Sequence, residues 1–453
     1  KINVTQSLME RVEALRATGI ADEIIIEEYE GQKIDDIKRY DVDIFTIGSD
    51  WKGKFDYLEE FCRVIYLPRT EGISSSEIRG KQRGLRLGLV GDSSIVEKVV
   101  RESVFVNGLE ASGLYSENPV IKSKSECFDV PVFQEYDNLI DSADAIYIVS
   151  SPRKHFKHIA QALEKGKHVL CESPIVLNPG DCDKLFQLAH EKQVILMESI
   201  KTAYSTAYHR MILLIKAGVI GKVVSVDATC TSIRRLDTLD LYQLNNSWNS
   251  ICAWGPNCLL PIFQILGTKN YQKKIISHLD NSEYFYDGFT KIDFVFPNAV
   301  ASIKVGQSVK SEGELIVSGD KGYVFVPAPW WKTEYFEVRY ENAENNRRYF
   351  YQLDGEGIRY ELVSFTQAIE TGKERSNISQ DISREIVKVI GDFYKNMFAK
   401  CPAGRPGTAD EVANVAELLM SDKGAFITGA TFLMDGGATS SYYYGPLKPE
   451  GGK

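Results

Sequence analysis

Apolar and polar positions change their period twice along the chain. Over residues 1 to about 80 they read as α/β. The pattern predicts a helix over 6–16 with Leu8, Val12 and Leu15 on its inner face, a strand over 23–28, and a helix near 33–40. Strands follow at 43–47 and Arg63–Leu67. The stretch 79–84, basic and containing two glycines, reads as a linker. Leu85–Gly91 then has a buried-strand pattern that ends at a glycine. Residues 144–150 form another such strand and run into a Ser151-Pro152 turn, after which Phe156, Ile159, Ala160 and Leu163 share one helical face. Gly166 stands where a C-cap belongs, and Val169-Leu170-Cys171 opens the next strand. Strand, helix and strand in repetition imply a parallel sheet with right-handed crossovers. From about Val223 short strands separated by turn residues imply a mostly antiparallel sheet, with helices near 360–371 and 383–393. The expected fold is α/β: a Rossmann-like parallel-sheet domain over 84–200 and an α+β domain over 201–397. A partial α/β segment over 1–80 precedes them and a separate tail over 401–453 follows.

Composition changes this picture little. A chain of 453 residues suggests about three domains. The net charge of -9 argues against nucleic acid and anionic membranes as partners. Eight cysteines without a Cys-x-x-Cys pair read as reduced thiols of a cytoplasmic protein. His155 and His158, three apart with no acidic partner between them, read as a helix surface, and no metal site is expected. No apolar run is long enough to span a bilayer. The chain begins at Lys1 without a methionine, so an upstream part is expected.

Ser74 and Glu77 form a capping box before a helix, and Arg69 and the serine hydroxyls add donors suited to phosphate. From the residues alone a plain capped helix explains this as well. The run Arg69-Thr70-Glu71-Gly72-Ile73-Ser74-Ser75 resembles the Arg-Thr-x-Gly-x-Ser motif of the glycerol-3-phosphate cytidylyltransferase family. Glu10-Arg11, Gly48-Ser49-Asp50-Trp51 and Lys54-Phe55-Asp56 also match. The resemblance implies a CTP site built from Arg11, Asp50, Trp51, Arg69, Thr70, Gly72, Ser74 and Ser75. The family's His-x-Gly-His motif would precede Lys1.

After the first parallel strand a dinucleotide fold wants Gly-x-Gly-x-x-Gly. Here the stretch is Gly91-Asp92-Ser93-Ser94-Ile95-Val96, and Asp92 is expected to repel a phosphate. These residues alone leave a cofactor site and a non-binding Rossmann-like layer both open. His168-Val169-Leu170-Cys171-Glu172-Ser173-Pro174, the turn at 217–223 and the hairpin at 315–322 resemble the glucose-fructose oxidoreductase / inositol dehydrogenase / MocA family. The resemblance implies NAD or NADP, a sugar or polyol substrate and a homo-oligomer. It also implies cofactor contacts from Gly91, Ser93, Ser151, Pro152 and Glu172. The family's catalytic lysine falls on Ser173, and its acid/base pair on Ala253 and Asn257. None of these three titrates near neutral pH. Lys201, Tyr208 and His209 are the candidate replacements. Weak cofactor binding and slow turnover are the expectation.

Residues 404–413, Ile427-Thr428-Gly429 and Met434-Asp435-Gly436-Gly437 resemble the closing segment of the short-chain dehydrogenase/reductase family. That resemblance implies a helix Ala409–Met420 and a strand over 431–434, covered by another body through Val412, Val415, Ala416 and Leu419. The family's catalytic Ser, Tyr and Lys are not in this stretch. A cytidylyltransferase joined to an oxidoreductase suggests activated polyols for surface polysaccharides. A truncated nucleotidyltransferase fusion and a non-catalytic nucleotide- or partner-binding module are the alternatives. The chain by itself is expected to give no CTP-dependent transfer. Pyrophosphate released from CTP in the presence of a polyol phosphate, followed by a coupled assay, would contradict this.

Overall fold

The computed structural model describes residues 15–25, 27, 32–68, 84–118, 121, 130–234, 249–279, 287–372, 376–398, 402–403, 407–429, 431–434 and 436. At the N-terminal end, helix α1 (Gln32–Arg39) precedes two short strands, β1 (Ile44–Gly48) and β2 (Arg63–Leu67), which pair in parallel. Leu58 and Ile37 are buried there, but Leu15, predicted to be core, is exposed. Residues 23–25 form no strand. A strand needs a ladder for its amides and carbonyls, and this sheet has two members among the described residues. Of the CTP-site residues, Arg11, Arg69, Thr70, Gly72, Ser74 and Ser75 lie outside the described residues. Trp51 is exposed, with Lys54 Nζ 5.1 Å from its ring centre.

The next elements are β3 (Leu85–Gly91), α2 (Ile95–Ser103), β4 (Leu109–Tyr115), β5 (Val132–Phe133), α3 (Tyr136–Ser142), β6 (Ala145–Val149), α4 (Pro152–Glu164), β7 (His168–Glu172), α5 (Pro179–Glu191) and β8 (Leu196–Ser199). They build a six-stranded sheet of order β5-β4-β3-β6-β7-β8, with every pair parallel. Counted from β3 the order is 3-2-1-4-5-6, the doubly wound arrangement. The chain turns to opposite sides after β3 and before β6, so a crevice opens at their carboxyl ends. Gly91 stands at that crevice. A Cβ there would lie 2.4 Å from Val149 Cγ1, so only glycine lets β3 and β6 close.

Helix α4 buries Ile159 and Leu163 as predicted, but its inner face is turned toward the histidines. His155, His158, Ile159, Ala162 and Leu163 point inward, while Phe156 is exposed. The histidines are core residues because each finds partners inside. The His155 ring lies 2.8 Å from the Ser150 carbonyl and 2.9 Å from the Pro174 carbonyl, and His158 Nδ1 is 3.0 Å from Ser150 Oγ. Burial pushes both imidazoles down, His158 to about 4. The expectation that they form a helix surface is therefore overturned.

After α6 (Thr206–Lys216) come β9 (Val223–Ile233), α7 (Ser250–Leu266), β10 (Gln272–Leu279), β11 (Asp287–Val295), β12 (Val300–Gly306), β13 (Ser308–Val309), β14 (Leu315–Gly319), β15 (Tyr323–Val326), β16 (Tyr335–Arg339) and β17 (Arg347–Phe350). Their sheet runs β10-β11-β12-β9-β14-β15-β16-β17, with β13 on β9. It is antiparallel except where β12 meets β9. The turn at 217–223 and the hairpin at 315–322 interlock: a Cβ at Gly319 would meet the Ile220 carbonyl at 2.1 Å. Asp320 then accepts the Lys222 amide at 2.8 Å.

Helix α7 packs on β9 and β12. Its first turn is closed by Asn249, which accepts Cys252 N at 3.0 Å, and by Asp287, which accepts Ser250 N at 2.8 Å and Ile251 N at 3.1 Å. Helix α8 (Ile358–Thr371) lies against α2, and α9 (Gln380–Phe398) lies on both α7 and α5, tying the two sheets together. Helix α10 (Ala409–Met420) has the range predicted and carries a capping box of Thr408 with Glu411. The rest of the tail departs from expectation. Residues 431–434 form no strand, and Val412 and Leu419 are exposed rather than covered. The principal contact of α10 is with the single turn Asp422–Gly424 that follows it.

Asp287 is almost fully buried, and burial raises its carboxyl to about 6 against the bonds from Thr290 and the helix amides. Asp287→Ala would strand those buried donors. We expect it to cost about 1–3 kcal/mol and Asp287→Asn to cost less, as read from urea unfolding of the full chain. Equal midpoints for Asp287→Ala and the unaltered chain would contradict this.

Candidate active site

The crevice at the carboxyl ends of β3, β6 and β7 opens into a cavity of about 630 Å³ that α7, strand ends of the second sheet and the turns carrying Lys332 and Glu356 enclose. Asp92, Ser93, Ser150, Ser151 and Glu172 line it from the parallel sheet. Ala253, Trp254 and Asn257 line it from α7, and Trp331 faces Trp254 with ring centres 4.9 Å apart. Lys98, Lys201, Arg234 and Lys332 also reach this cavity, facing the carboxyls of Asp92, Glu172 and Glu356.

Beneath it lies a buried carboxyl pair. Tyr147 donates to Glu172 Oε1 at 3.0 Å and stands 3.3 Å from Glu361 Oε1, and Ser199 donates to Glu361 Oε2 at 2.7 Å. Burial raises both carboxyls. Glu361 reaches about 8, pushed by burial and then by the charge of Glu172. Lys201 works in the opposite direction on both. Lys201 occupies the short turn Lys201–Tyr204 after β8, so the sheet itself aims it at the cavity floor.

At the rim Glu356 accepts from Lys98 at 2.8 Å and from Lys332 at 2.9 Å. The bond from Lys98, joined by Lys332, draws its carboxyl down to about 2. Glu356 sits at φ 54, a left-handed conformation that a non-glycine residue adopts at a cost. Gly357 beside it has φ 92 and would bring a Cβ within 3.1 Å of the Lys201 carbonyl. The turn is thus pressed onto the backbone that holds Lys201.

The predicted site residues divide clearly. Ser93, Ser151, Glu172, Lys201, Ala253 and Asn257 meet in the cavity. Gly91 and Pro152 stand behind its wall as strand-closing and helix-starting residues. Ser173 is turned away: its hydroxyl donates to buried Glu198. Tyr208 is buried and bonds Gln264 at 2.8 Å, and His209 is exposed on α6, so neither reaches the cavity. Asn257 accepts from Thr202 at 3.1 Å. Asp92, expected to repel a phosphate, lines the cavity with its carboxylate held by backbone amides beyond β4. Glu361, Tyr147 and Glu356 were missed. The signal for Glu361 was present: it interrupts the buried helical stripe Ile358, Leu362, Phe365.

This geometry defines a doubly wound dinucleotide-type domain joined to a mostly antiparallel sheet. Residues 85–200 match the family described as oxidoreductase family, NAD-binding Rossmann fold. The chain carries a glucose-fructose oxidoreductase / inositol dehydrogenase / MocA-type domain there. Residues 352–439 match a family described as enoyl-(acyl carrier protein) reductase, although the first part of that match falls on α8 and α9 of the enclosing body. The first 65-residue match, 54% identical, is to glycerol-3-phosphate cytidylyltransferase of Bacillus spizizenii, covering 14% of this chain and 50% of that protein. The dTDP-3,4-didehydro-2,6-dideoxy-alpha-D-glucose 3-reductase of Streptomyces violaceoruber is 29% identical over 33% of this chain and 45% of its own. The chain spans about half the length of these curated relatives. A 3-ketoreductase from Actinomadura kijaniata, solved with NADP and TDP-benzene, has the same fold: TM-score 0.61 at 18% identity, over 68% of this chain and 97% of that one.

Glu361 holds a proton in the fold that the unfolded chain gives up at ordinary carboxyl pH. Stability from this group is therefore present at low pH and lost as pH rises toward about 8. We expect denaturant unfolding to show a fall on the order of 1 kcal/mol per pH unit between about pH 5 and about pH 8, and Glu361→Gln to flatten it. The same pH slope in both proteins would refute the assignment.

Proposed function

We propose that the chain is an NAD(P)-dependent oxidoreductase acting on a sugar or polyol derivative, with Lys201 in the role that the family gives to the position of Ser173. The observation that carries this reading is the placement of Lys201 on the cavity floor over the Glu172–Tyr147–Glu361 network. The donor set suits a dinucleotide: Ser93 at the start of α2, Ser150 and Ser151 after β6, Asn118, and the Lys98 ammonium one turn into α2. When bound, the nicotinamide would supply the hydride acceptor or donor.

The chain's own groups handle the proton. Lys201 Nζ takes or returns the proton of the substrate hydroxyl. The charge of Lys201 acts on the buried Glu172 and Glu361 carboxyls, which Tyr147 and Ser199 tie together beneath it. The Thr202 hydroxyl, which also donates to the Trp331 carbonyl at 2.8 Å, lies 3.1 Å from the Asn257 side-chain amide and positions it at the cavity wall. Trp254 and Trp331 offer apolar faces to a sugar ring, and Arg234 and Lys332 suit a phosphorylated or nucleotide-linked substrate. The relatives named as sugar 3-reductases support that substrate class. Assembly into a homo-oligomer belongs to the same proposal.

A second reading, a nucleotide-binding module without turnover, is favoured by Ser173 facing away from the cavity and by Ala253 in place of an acid. The two separate in one assay. Free and nucleotide-linked sugars and polyols are offered with NAD(H) and NADP(H), and absorbance of the reduced nicotinamide is followed. Lys201→Met should lower kcat by about 10²–10⁴-fold with little change in cofactor affinity. Turnover unaffected by Lys201→Met removes the lysine from the mechanism, and no turnover across the panel favours the second reading.

A further inference from the structure

The corner of the cavity between β3 and β4 contains an anion that belongs to the protein. Asp92 Oδ1 accepts three bonds: Ser116 Oγ at 2.9 Å, Glu117 N at 2.9 Å and Asn118 N at 3.1 Å. Its other oxygen lies 3.5 Å from Lys154 Nζ, and its carbonyl accepts Asn118 Nδ2 at 3.0 Å. Lys154 is also bridged to Glu117 at 2.6 Å. The carboxylate therefore gathers the hydroxyl and two backbone amides of the turn that follows the second strand of the doubly wound order.

That turn is where such folds meet the adenosine ribose. An acidic side chain there bonds the free 2′-hydroxyl, and cationic groups accommodate a 2′-phosphate. Here the donors that could hold a phosphate are taken by Asp92, and the turn adds a second carboxylate, Glu117. Among the described residues the cation that faces both, Lys154, is bridged to each of them. A 2′-phosphate would have to displace a carboxylate with several bonds and lie beside another, and like-charge juxtaposition of this kind disfavours the partner that carries it.

We propose that Asp92, supported by Glu117, makes this domain select the dinucleotide without a 2′-phosphate, NAD(H) over NADP(H). The inference rests on the cofactor reading above and adds its specificity. It also gives Asp92 a positive role in a loop that has lost two of three glycines. Asp92 organises the turn and acts as a positioning residue, and the ribose contact falls to Glu117.

The test is a binding titration of the full chain with NADH and with NADPH, followed by nicotinamide fluorescence without substrate. The unaltered chain should bind NADH at least about tenfold more tightly. Glu117→Ser leaves the bonds to Asp92 in place and releases the shorter of the two bridges on Lys154, so NADPH affinity should rise and NADH affinity fall, narrowing the ratio. Asp92→Ser should narrow it further by releasing the turn's donors. If Asp92→Ser loses both cofactors through collapse of the turn, the unaltered chain and Glu117→Ser decide. NADPH bound as tightly as NADH by the unaltered chain overturns this inference and leaves the cofactor reading standing. Binding of neither overturns the cofactor reading and this inference with it.

Discussion

Two carboxyl groups held out of water, Glu172 and Glu361, set the terms for everything around the cavity. Neither could stay ionised and unpaired where it lies, because an isolated buried charge is far more costly than any single hydrogen bond can offset. The sheet answers with hydroxyls. Tyr147 from β6 and Ser199 from β8 close on the pair, and Lys201 sets its charge against both. That solution requires β6, β7, β8 and α8 to converge on one spot. The helix that supplies Glu361 is more than 150 residues downstream of the strands it completes. The long-range closure of α8 on the parallel sheet is thus a condition for the chemistry as well as for the core.

The rim follows the same electrostatic logic in the opposite direction. Lys98 belongs to α2 of the parallel layer and Lys332 to a turn beyond β15, and Glu356 joins them. The left-handed backbone at Glu356 is kept by those two bridges and by glycines on either side that tolerate the close approach to Glu102 and Lys201. A guest phosphate would compete with Glu356 for the same ammonium groups. The bridge is therefore an internal stand-in for an anion, as Asp92 is at the other end of the crevice. Glu356 between them offsets the repulsion of Lys98 and Lys332 at close quarters.

Much of the fold was legible because period and glycine placement constrain it strongly. Leu85–Gly91, the strand before Ser151, and the hairpin at Gly319 carried the signals of buried strands and tight turns, and the two sheets follow. The polar strands β10, β16 and β17 were not legible. Their residues alternate too weakly to mark a buried face, although each pairs with a strand next to it in the chain. The face of α4 was misjudged because histidine counts as polar in a periodicity, whereas His155 and His158 satisfy their nitrogens on carbonyls and a serine inside the core. At the site, the loss of the lysine at Ser173 and of the acid/base pair at Ala253 and Asn257 was visible in the sequence. Lys201 was one of three candidate replacements, but that it and not Tyr208 or His209 would join Ala253 and Asn257 in the cavity was not legible, because its place depends on β7 and β8 lying side by side.

The two ends of the chain show what separates a family signature from a folded unit. The stretch around β1 and β2 keeps half of a nucleotidyltransferase pattern, yet two parallel strands and one helix leave Ile44, Leu67 and Trp51 in water. At the other end α10 keeps its capping box, because a cap is local and needs only Thr408 and Glu411. The strand predicted after it is not formed, because a ladder is non-local and residues 431–434 have no neighbour to pair with among the described residues. Local hydrogen bonding survives the loss of context, and sheet formation does not. The same distinction explains why the middle of the chain holds its fold despite an altered glycine loop. The interactions that build its sheet are supplied within 85–398, and the changed positions Asp92, Ser93 and Val96 are absorbed locally: Asp92 by the turn after β4, Ser93 by the Ile95 amide, and Val96 by the core under α2. Selection for dinucleotide contacts and selection for folding act on different atoms of that loop, so its glycines can be lost without loss of the domain.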